Sequence, residues 1–269
     1  MNTKFATSLF ITAAAITGAF SQIAPAAALS ASNSVWDKPQ PTIFSKSQTG
    51  FNDAPYQKFV QQEGVAILNS GQFLLNPSKL GLKYDYNVSA FFINEGAGYR
   101  NQLAFTSVGQ TKTEGLLFKD ISCEGAGCVG AWGGNALKLG DSVKVGEIKG
   151  GSQLDFFLRA DGLNRKATAN VFGTQTSQNA DGLQHLVAYG FDKKYLLLGF
   201  EDLYGAKNAT GGKNENSDRD FNDAVFVIDI GEKNLNSLIK PVPEPSVTLA
   251  LVGLGAAGLL LRRRQSKTE

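Results

Sequence analysis

The chain has 269 residues, 42% hydrophobic and 19% charged, which is enough apolar material for one sizeable core and excludes disordered, collagen-like and multi-span membrane classes. Thirty Gly against eight Pro, with 18 Phe and a single Met, points to many turns joining aromatic-rich strands. The formal net charge of +2 comes from the ends: without Lys4, Arg262, Arg263, Arg264, Lys267, Glu244 and Glu269, acidic groups outnumber basic ones by one, and no Lys/Arg cluster remains. The body therefore lacks an electrostatic footprint for nucleic acid.

Residues 1–28 have the layout of a secretory signal peptide. Lys4 precedes a mostly apolar run from Phe5 to Phe20, and small residues follow at Ala24, Ala26, Ala27 and Ala28, where cleavage after Ala26 or Ala28 is expected. Residues 29–83 are less patterned. Asp53-Ala54-Pro55 reads as a helix start, with Asp53 as cap, Pro55 in the first turn, and two turns ending at Gly64. This short helix is expected to pack as an appendage on the main domain.

From 84 to 230 the chain becomes short apolar or alternating runs separated by Gly, Asn and Asp. Strands are predicted over 88–93, 102–107, 114–119, 142–148, 153–160, 167–172, 184–191, 195–201 and 223–230, with no interior helix. That pattern predicts an all-β fold, an antiparallel β-sandwich of jelly-roll type. A linker is expected over 231–241. The polar stretch 203–219 is a long loop, of a length that is usually functional or mobile.

Cys123 and Cys128 flank a Glu-Gly-Ala-Gly spacer in a chain marked for export, so a local disulfide is expected, worth about 2 kcal/mol by loop entropy. A zinc site would need further Cys or His ligands that the sequence lacks. The single histidine, His185, is expected to be packed or hydrogen-bonded on a face shared with Val187 and Tyr189. No nucleophile elbow, Walker loop or Rossmann fingerprint accompanies it.

The strongest constellation is Phe200-Glu201-Asp202-Leu203 followed, after the polar loop, by Asp218-Arg219-Asp220-Phe221-Asn222-Asp223. In an extended segment Asp218, Asp220 and Asn222 project to one side, and Glu201 and Asp202 complete the set if the two strands are neighbours. Clustered hard oxygens repel one another unless a cation or several donors neutralise them, and such a set suits Ca²⁺ better than zinc or copper. The spacing departs from an EF-hand at Asp223, where glycine is required, and at Asp229, where a bidentate Glu belongs. The alternative is an Asx-turn network pairing with Arg219. These residues resemble the hallmark of domain-of-unknown-function family 4114. Asp181 to Tyr189 and Phe91 to Asn101 are similar to further stretches of that family. The resemblance implies a β-sandwich of bacterial surface and matrix proteins, without established catalysis and with suspected calcium binding through Glu201, Asp202, Asp218, Asp220, Asn222 and Asp223.

At the C-terminal end, Pro243-Glu244-Pro245 precedes sixteen uncharged residues from Ser246 to Leu261 and then Arg262-Arg263-Arg264. As a helix these sixteen residues would rise about 24 Å, short of a typical hydrocarbon core. They fit transient membrane contact as well as a permanent anchor, with the arginines cytoplasmic. The three parts in this order (242–269) resemble the PEP-CTERM sorting signal. That resemblance implies an exosortase-type processing protease as partner, sorting to the cell surface or the medium, and association with extracellular polysaccharide and biofilm material.

Together these features predict an exported, surface-sorted structural or adhesive matrix protein with a Ca²⁺-binding sandwich, not an enzyme, meeting polysaccharide or other surface proteins. One alternative is a carbohydrate-binding module stacking sugars on Trp132, Tyr99 or Tyr204. A lower one is a glycoside hydrolase, but adjacent Glu201 and Asp202 point to opposite sheet faces and do not make a carboxylate pair.

Overall fold

The computed structural model describes residues 33–60, 67, 73–123, 126–128 and 137–239. The expected signal peptide, Gly64, Trp132 and the tail from Pro243 to Arg264 lie outside these residues. In chain order the strands are β1 (Phe73–Leu75), β2 (Gly81–Leu82), β3 (Tyr86–Asn94), β4 (Gln102–Gly109), β5 (Thr113–Phe118), β6 (Ser142–Ile148) and β7 (Ser152–Arg159). They continue with β8 (Val171–Gly173), β9 (Leu186–Phe191), β10 (Tyr195–Phe200), β11 (Thr210–Gly211), β12 (Asn214–Glu215) and β13 (Ala224–Asp229). Helices are short: α1 (Lys46–Thr49), α2 (Ala54–Gln57), α3 (Gly162–Arg165) and α4 (Glu232–Ile239).

Two antiparallel sheets form the expected sandwich. One has six strands in the order β1-β9-β10-β13-β3-β6; the other runs β2-β7-β4-β5, with β8 also paired to β7. Period-two alternation sends Val88, Ala90 and Phe92 of β3, Leu196, Leu198 and Phe200 of β10, and Ala224, Phe226 and Ile228 of β13 into the core between the sheets. There they meet Leu103 and Phe105 of β4 and Leu154, Phe156 and Leu158 of β7. Each Val, Leu, Ile or Phe among them contributes about 1.5–3 kcal/mol on burial.

The six-stranded sheet is apolar on its other face too. Phe91, Ile93, Val187, Tyr189, Leu197, Val225 and Val227 point away from the main core and are covered by Phe51, Tyr56, Val60 and Ile67 of the N-terminal segment. Phe51 stacks on Phe91 with ring centroids 4.1 Å apart. Val35 and Trp36 likewise cover Ala104, Leu116 and Phe157 on the outer face of the second sheet. The segment before position 84 is therefore a working layer: it covers both sheets, and β1 and β2 pair directly into them.

Several local expectations differ from the structure for identifiable reasons. The helix at 54 closes after one turn, and 3₁₀-type bonds from the Phe59 and Val60 N–H groups take over. Asp53 does not cap it; its carboxylate instead takes Lys46 Nζ at 2.9 Å and Gln57 Nε2 at 2.9 Å. The run 167–172 begins in a 3₁₀ turn (Lys166–Thr168), and within it pairing starts only at Val171, in β8. Where a linker was expected, α4 packs Leu235 into the core, and Asn234 Oδ1 accepts from the Lys83 and Tyr84 N–H groups at 2.9 and 2.8 Å.

Phe226 stands between Phe156 and Phe200, at centroid distances of 6.3 and 5.8 Å. Phe226→Ala is expected to cost about 3–5 kcal/mol, read as a lower denaturation midpoint at unchanged slope. A loss below about 1 kcal/mol would mean that the two sheets do not pack through this residue.

Candidate metal centre

Three neighbouring strand ends build the site. His185 lies just before β9, Glu201 just after β10 and Asp223 just before β13, and Phe200 at the end of β10 is registered between Leu186 and Ala224. The Glu201 N–H donates to the His185 carbonyl at 3.0 Å, and His185 Nδ1 returns the bond to the Glu201 carbonyl at 2.8 Å. The His185 ring is fully buried and stacks on Phe172 at 3.6 Å, so its role is packing and positioning. It does not share the face of Val187 and Tyr189, because β9 starts one residue later. Its Nε2 lies 2.9 Å from Asp181 Oδ2, and burial lowers its pKa against the pull of that carboxylate.

The polar loop is ordered by its own hairpin. β11 pairs with β12, and Glu215 Oε2 accepts from the Tyr204 N–H at 2.8 Å while Oε1 takes Arg165 Nη1 at 2.9 Å. Beyond it the chain is not extended. Arg219 and Phe221 have φ of 56° and 64°, left-handed values uncommon outside glycine, so left-handed residues alternate with Asp218, Asp220 and Asn222. This curl, and not a straight strand, faces Asp218 and Asp220 toward Glu201. One carboxylate oxygen from each of Glu201, Asp218 and Asp220 lies within 4.8 Å of the others.

Glu201 and Asp220 are fully buried there, and Asp218 is half-buried. Glu201 Oε1 accepts from Ser217 Oγ at 2.6 Å, whereas Oε2 is buried with no hydrogen-bond partner. Burial pushes the Glu201 carboxyl upward and the charges of Asp218 and Asp220 add to this, against the Ser217 bond and the Arg219 charge. A buried carboxylate with one unpartnered oxygen, grouped with two further carboxylates, is a donor set for a hard cation.

The other predicted ligands sit elsewhere. Asp202 turns the opposite way from Glu201, accepting from Asn101 Nδ2 at 2.7 Å, and burial raises it to about 7. Asp223 Oδ2 accepts from the Asp202 N–H at 2.8 Å, and burial beside Asp202 and Glu201 lifts it well above the carboxylate range. Asn222 links the loop to the segment after β3: its N–H donates to Asp220 Oδ1 at 3.0 Å and its carbonyl accepts from the Gly96 N–H at 3.1 Å. The sequence reading missed Ser217, Asn101 and Glu95. Glu95 is fully buried and is raised to about 9 by burial, with the charges of Asp120 and Asp202 adding. The sequence shows only a carboxylate two residues after the apolar run Phe91-Phe92-Ile93, which is no motif in itself.

Two glycines make room for this arrangement. A Cβ on Gly199 would collide with the Phe221 carbonyl, and one on Gly96 with the Asn222 carboxamide. The loop thus lies directly on the backbone of β10 and of the segment after β3. The Cys123–Cys128 disulfide is formed. Tyr99 and Tyr204 pack against the core, and the Arg165 guanidinium lies 4.5 Å over the Tyr99 ring.

Residues 148–231 match the family model described as Domain of unknown function (DUF4114), and residues 241–264 match the PEP-CTERM protein-sorting motif. The chain carries both. The DUF4114 match runs from the end of β6 through β13 and contains all six acidic and amide residues singled out in the sequence, while Phe91 to Asn101 and the cysteines lie outside it. No curated protein and no solved structure gives a match. The PEP-CTERM motif implies export and cell-surface sorting, and such motifs are associated with processing by exosortase, a membrane protease. Among the described residues no helix is long and apolar enough to cross a membrane; Ser246 to Leu261 lies outside them.

The raised carboxyls fix the sign of a pH effect. Glu95 and Asp202 hold protons in the folded chain that the unfolded chain releases above ordinary values of 4.5 and 3.8. Their contribution to stability is complete below those values and is lost as pH rises toward about 7 for Asp202 and about 9 for Glu95. In chelator, the melting temperature is expected to fall between about pH 5 and pH 9, and Glu95→Gln to flatten the upper part of that slope. An identical slope in the variant would show that Glu95 does not titrate in that window.

Proposed function

We propose that this surface-sorted protein is a structural or adhesive matrix component whose sandwich binds Ca²⁺ through Glu201, Asp218 and Asp220, without catalytic activity. The observation that carries this reading is that buried Glu201, whose Oε2 has no hydrogen-bond partner, belongs to a group of three carboxylates with one oxygen from each within 4.8 Å of the others. Oxygen-only donors on a curled loop suit calcium, which accepts irregular geometry and water as further ligands. The role of the ion is to neutralise three carboxylates that repel one another at the end of β10 and so to fasten the loop to the sheet. Export fits such a site, because extracellular calcium modules work at dissociation constants of about 10⁻⁴–10⁻³ M. Extracellular polysaccharide or another surface protein is the partner this reading gives the ordered face.

Calorimetric titration of the exported protein with calcium tests it. Saturable binding is expected, lost in Asp218→Ala, whose half-buried side chain can be removed with little effect on the metal-free fold. At 100 times the dissociation constant, calcium should add about 2.7 kcal/mol of stability, a rise of several degrees in melting temperature. Folded wild-type protein that takes up no calcium at 10 mM, or an Asp218→Ala variant that binds equally well, would overturn the reading.

A further inference from the structure

We propose that the three-residue strap Asn94-Glu95-Gly96, leaving the end of β3, links the Cys123–Cys128 disulfide to the acidic loop, so that opening the disulfide weakens the cation site and filling the site protects the disulfide. This rests on the calcium reading above.

On one side the strap is held by the cysteine clip. The Cys123 N–H donates to Glu95 Oε1 at 3.0 Å, and Asn94 Nδ2 donates to the Gly127 carbonyl at 2.8 Å. Both acceptor and donor on the clip lie within the ring that the disulfide closes. On the other side the strap is held by the acidic loop. The Gly96 N–H donates to the Asn222 carbonyl at 3.1 Å, and the Asn222 carboxamide lies so close over Gly96 that no side chain fits there. Asn222 in turn donates its N–H to Asp220 Oδ1 at 3.0 Å, a carboxylate of the candidate site.

Glu95 makes the link stiff. It is fully buried, Oε1 is held by the Cys123 N–H, and Oε2 has no hydrogen-bond partner. If the clip opens and Cys123 moves, the Glu95 side chain is left buried without that bond, a costly state for a polar group. Relief requires the strap to shift, and Gly96 cannot shift without moving Asn222 and the Asp220 carboxylate it positions. The gap between clip and loop is spanned by consecutive residues of one chain, each with a named contact. Glu95 is a positioning residue in this account and does not itself touch the ion.

Two measurements on the exported protein decide it. In the first, calcium affinity is compared by calorimetry between oxidised wild type and the Cys123→Ser, Cys128→Ser double variant, with Glu95→Ala and Glu95→Gln in the oxidised background. Affinity should fall about 5- to 10-fold in the double variant and in Glu95→Ala, and be largely restored in Glu95→Gln, whose amide oxygen still accepts from Cys123. In the second, the wild-type disulfide is equilibrated against glutathione buffers with calcium or with chelator. Linkage requires calcium to shift that equilibrium toward the disulfide by the same factor, which a merely structural clip would not show. If a variant does not fold, the wild-type equilibrium alone decides. No calcium binding by oxidised wild type would remove the calcium reading itself. Normal binding with unchanged affinity in the variants and no calcium effect on the thiol–disulfide equilibrium would overturn the strap alone.

Discussion

Glu201 sits where β10 leaves the sheet, fully buried, with one carboxylate oxygen held by Ser217 and the other without a hydrogen-bond partner, and its carboxylate is grouped with those of Asp218 and Asp220. Burying a carboxylate costs several kcal/mol unless donors or a cation replace its water. The surrounding chain is arranged around that cost. Three strands end together so that His185 can bracket the Glu201 backbone, and Gly199 is bare so that the loop can approach. Left-handed backbone at Arg219 and Phe221 is accepted to turn the acidic side chains inward. Strain of this kind persists where the surroundings over-determine it, and two such residues flank Asp220 beside the buried Glu201 carboxylate.

The second constraint is the two-sided apolarity of β10 and β13. Leu196, Leu198, Val225 and Val227 leave no face of the six-stranded sheet that water can cover. A two-layer sandwich would expose one of those faces, so the N-terminal segment forms a third layer through Phe51, Tyr56 and Val60. That layer also reaches the site: the Ile67 N–H donates to the Asp220 carbonyl at 3.0 Å, and the Ile67 carbonyl accepts from the Tyr189 hydroxyl. Packing, loop conformation and the carboxylates thus belong to one connected unit.

Much of this was legible in the sequence because strands covered on both faces, such as β10 and β13, read as short apolar runs bounded by Gly, Asn and Asp. The run 142–148 and the starts of β4 and β10 agree with expectation to the residue. β1 and β2 were not legible, since two or three residues are too short to show a period; nor was α4, whose Glu-Lys-Asn start resembles a linker. Within the site, composition alone identified the acidic cluster. It could not separate Glu201 from Asp202, because their different roles depend on which buried donors face them, Ser217 or Asn101. Ser217 and Glu95 carry no motif of their own; their roles exist only once distant strands are brought together. The extended reading of 218–222 failed because non-glycine residues rarely take positive φ, and nothing local announces the exceptions at Arg219 and Phe221.

The central claim is that the space between Glu201, Asp218 and Asp220 belongs to a calcium ion. X-ray diffraction from crystals of the exported protein grown in millimolar calcium, recorded for the anomalous signal of the ion, tests it most directly. The account predicts one anomalous peak at about 2.3–2.6 Å from oxygens of all three carboxylates. Water, or the Arg219 guanidinium, occupying that space under saturating calcium would contradict it and return the cluster to a network of hydrogen bonds.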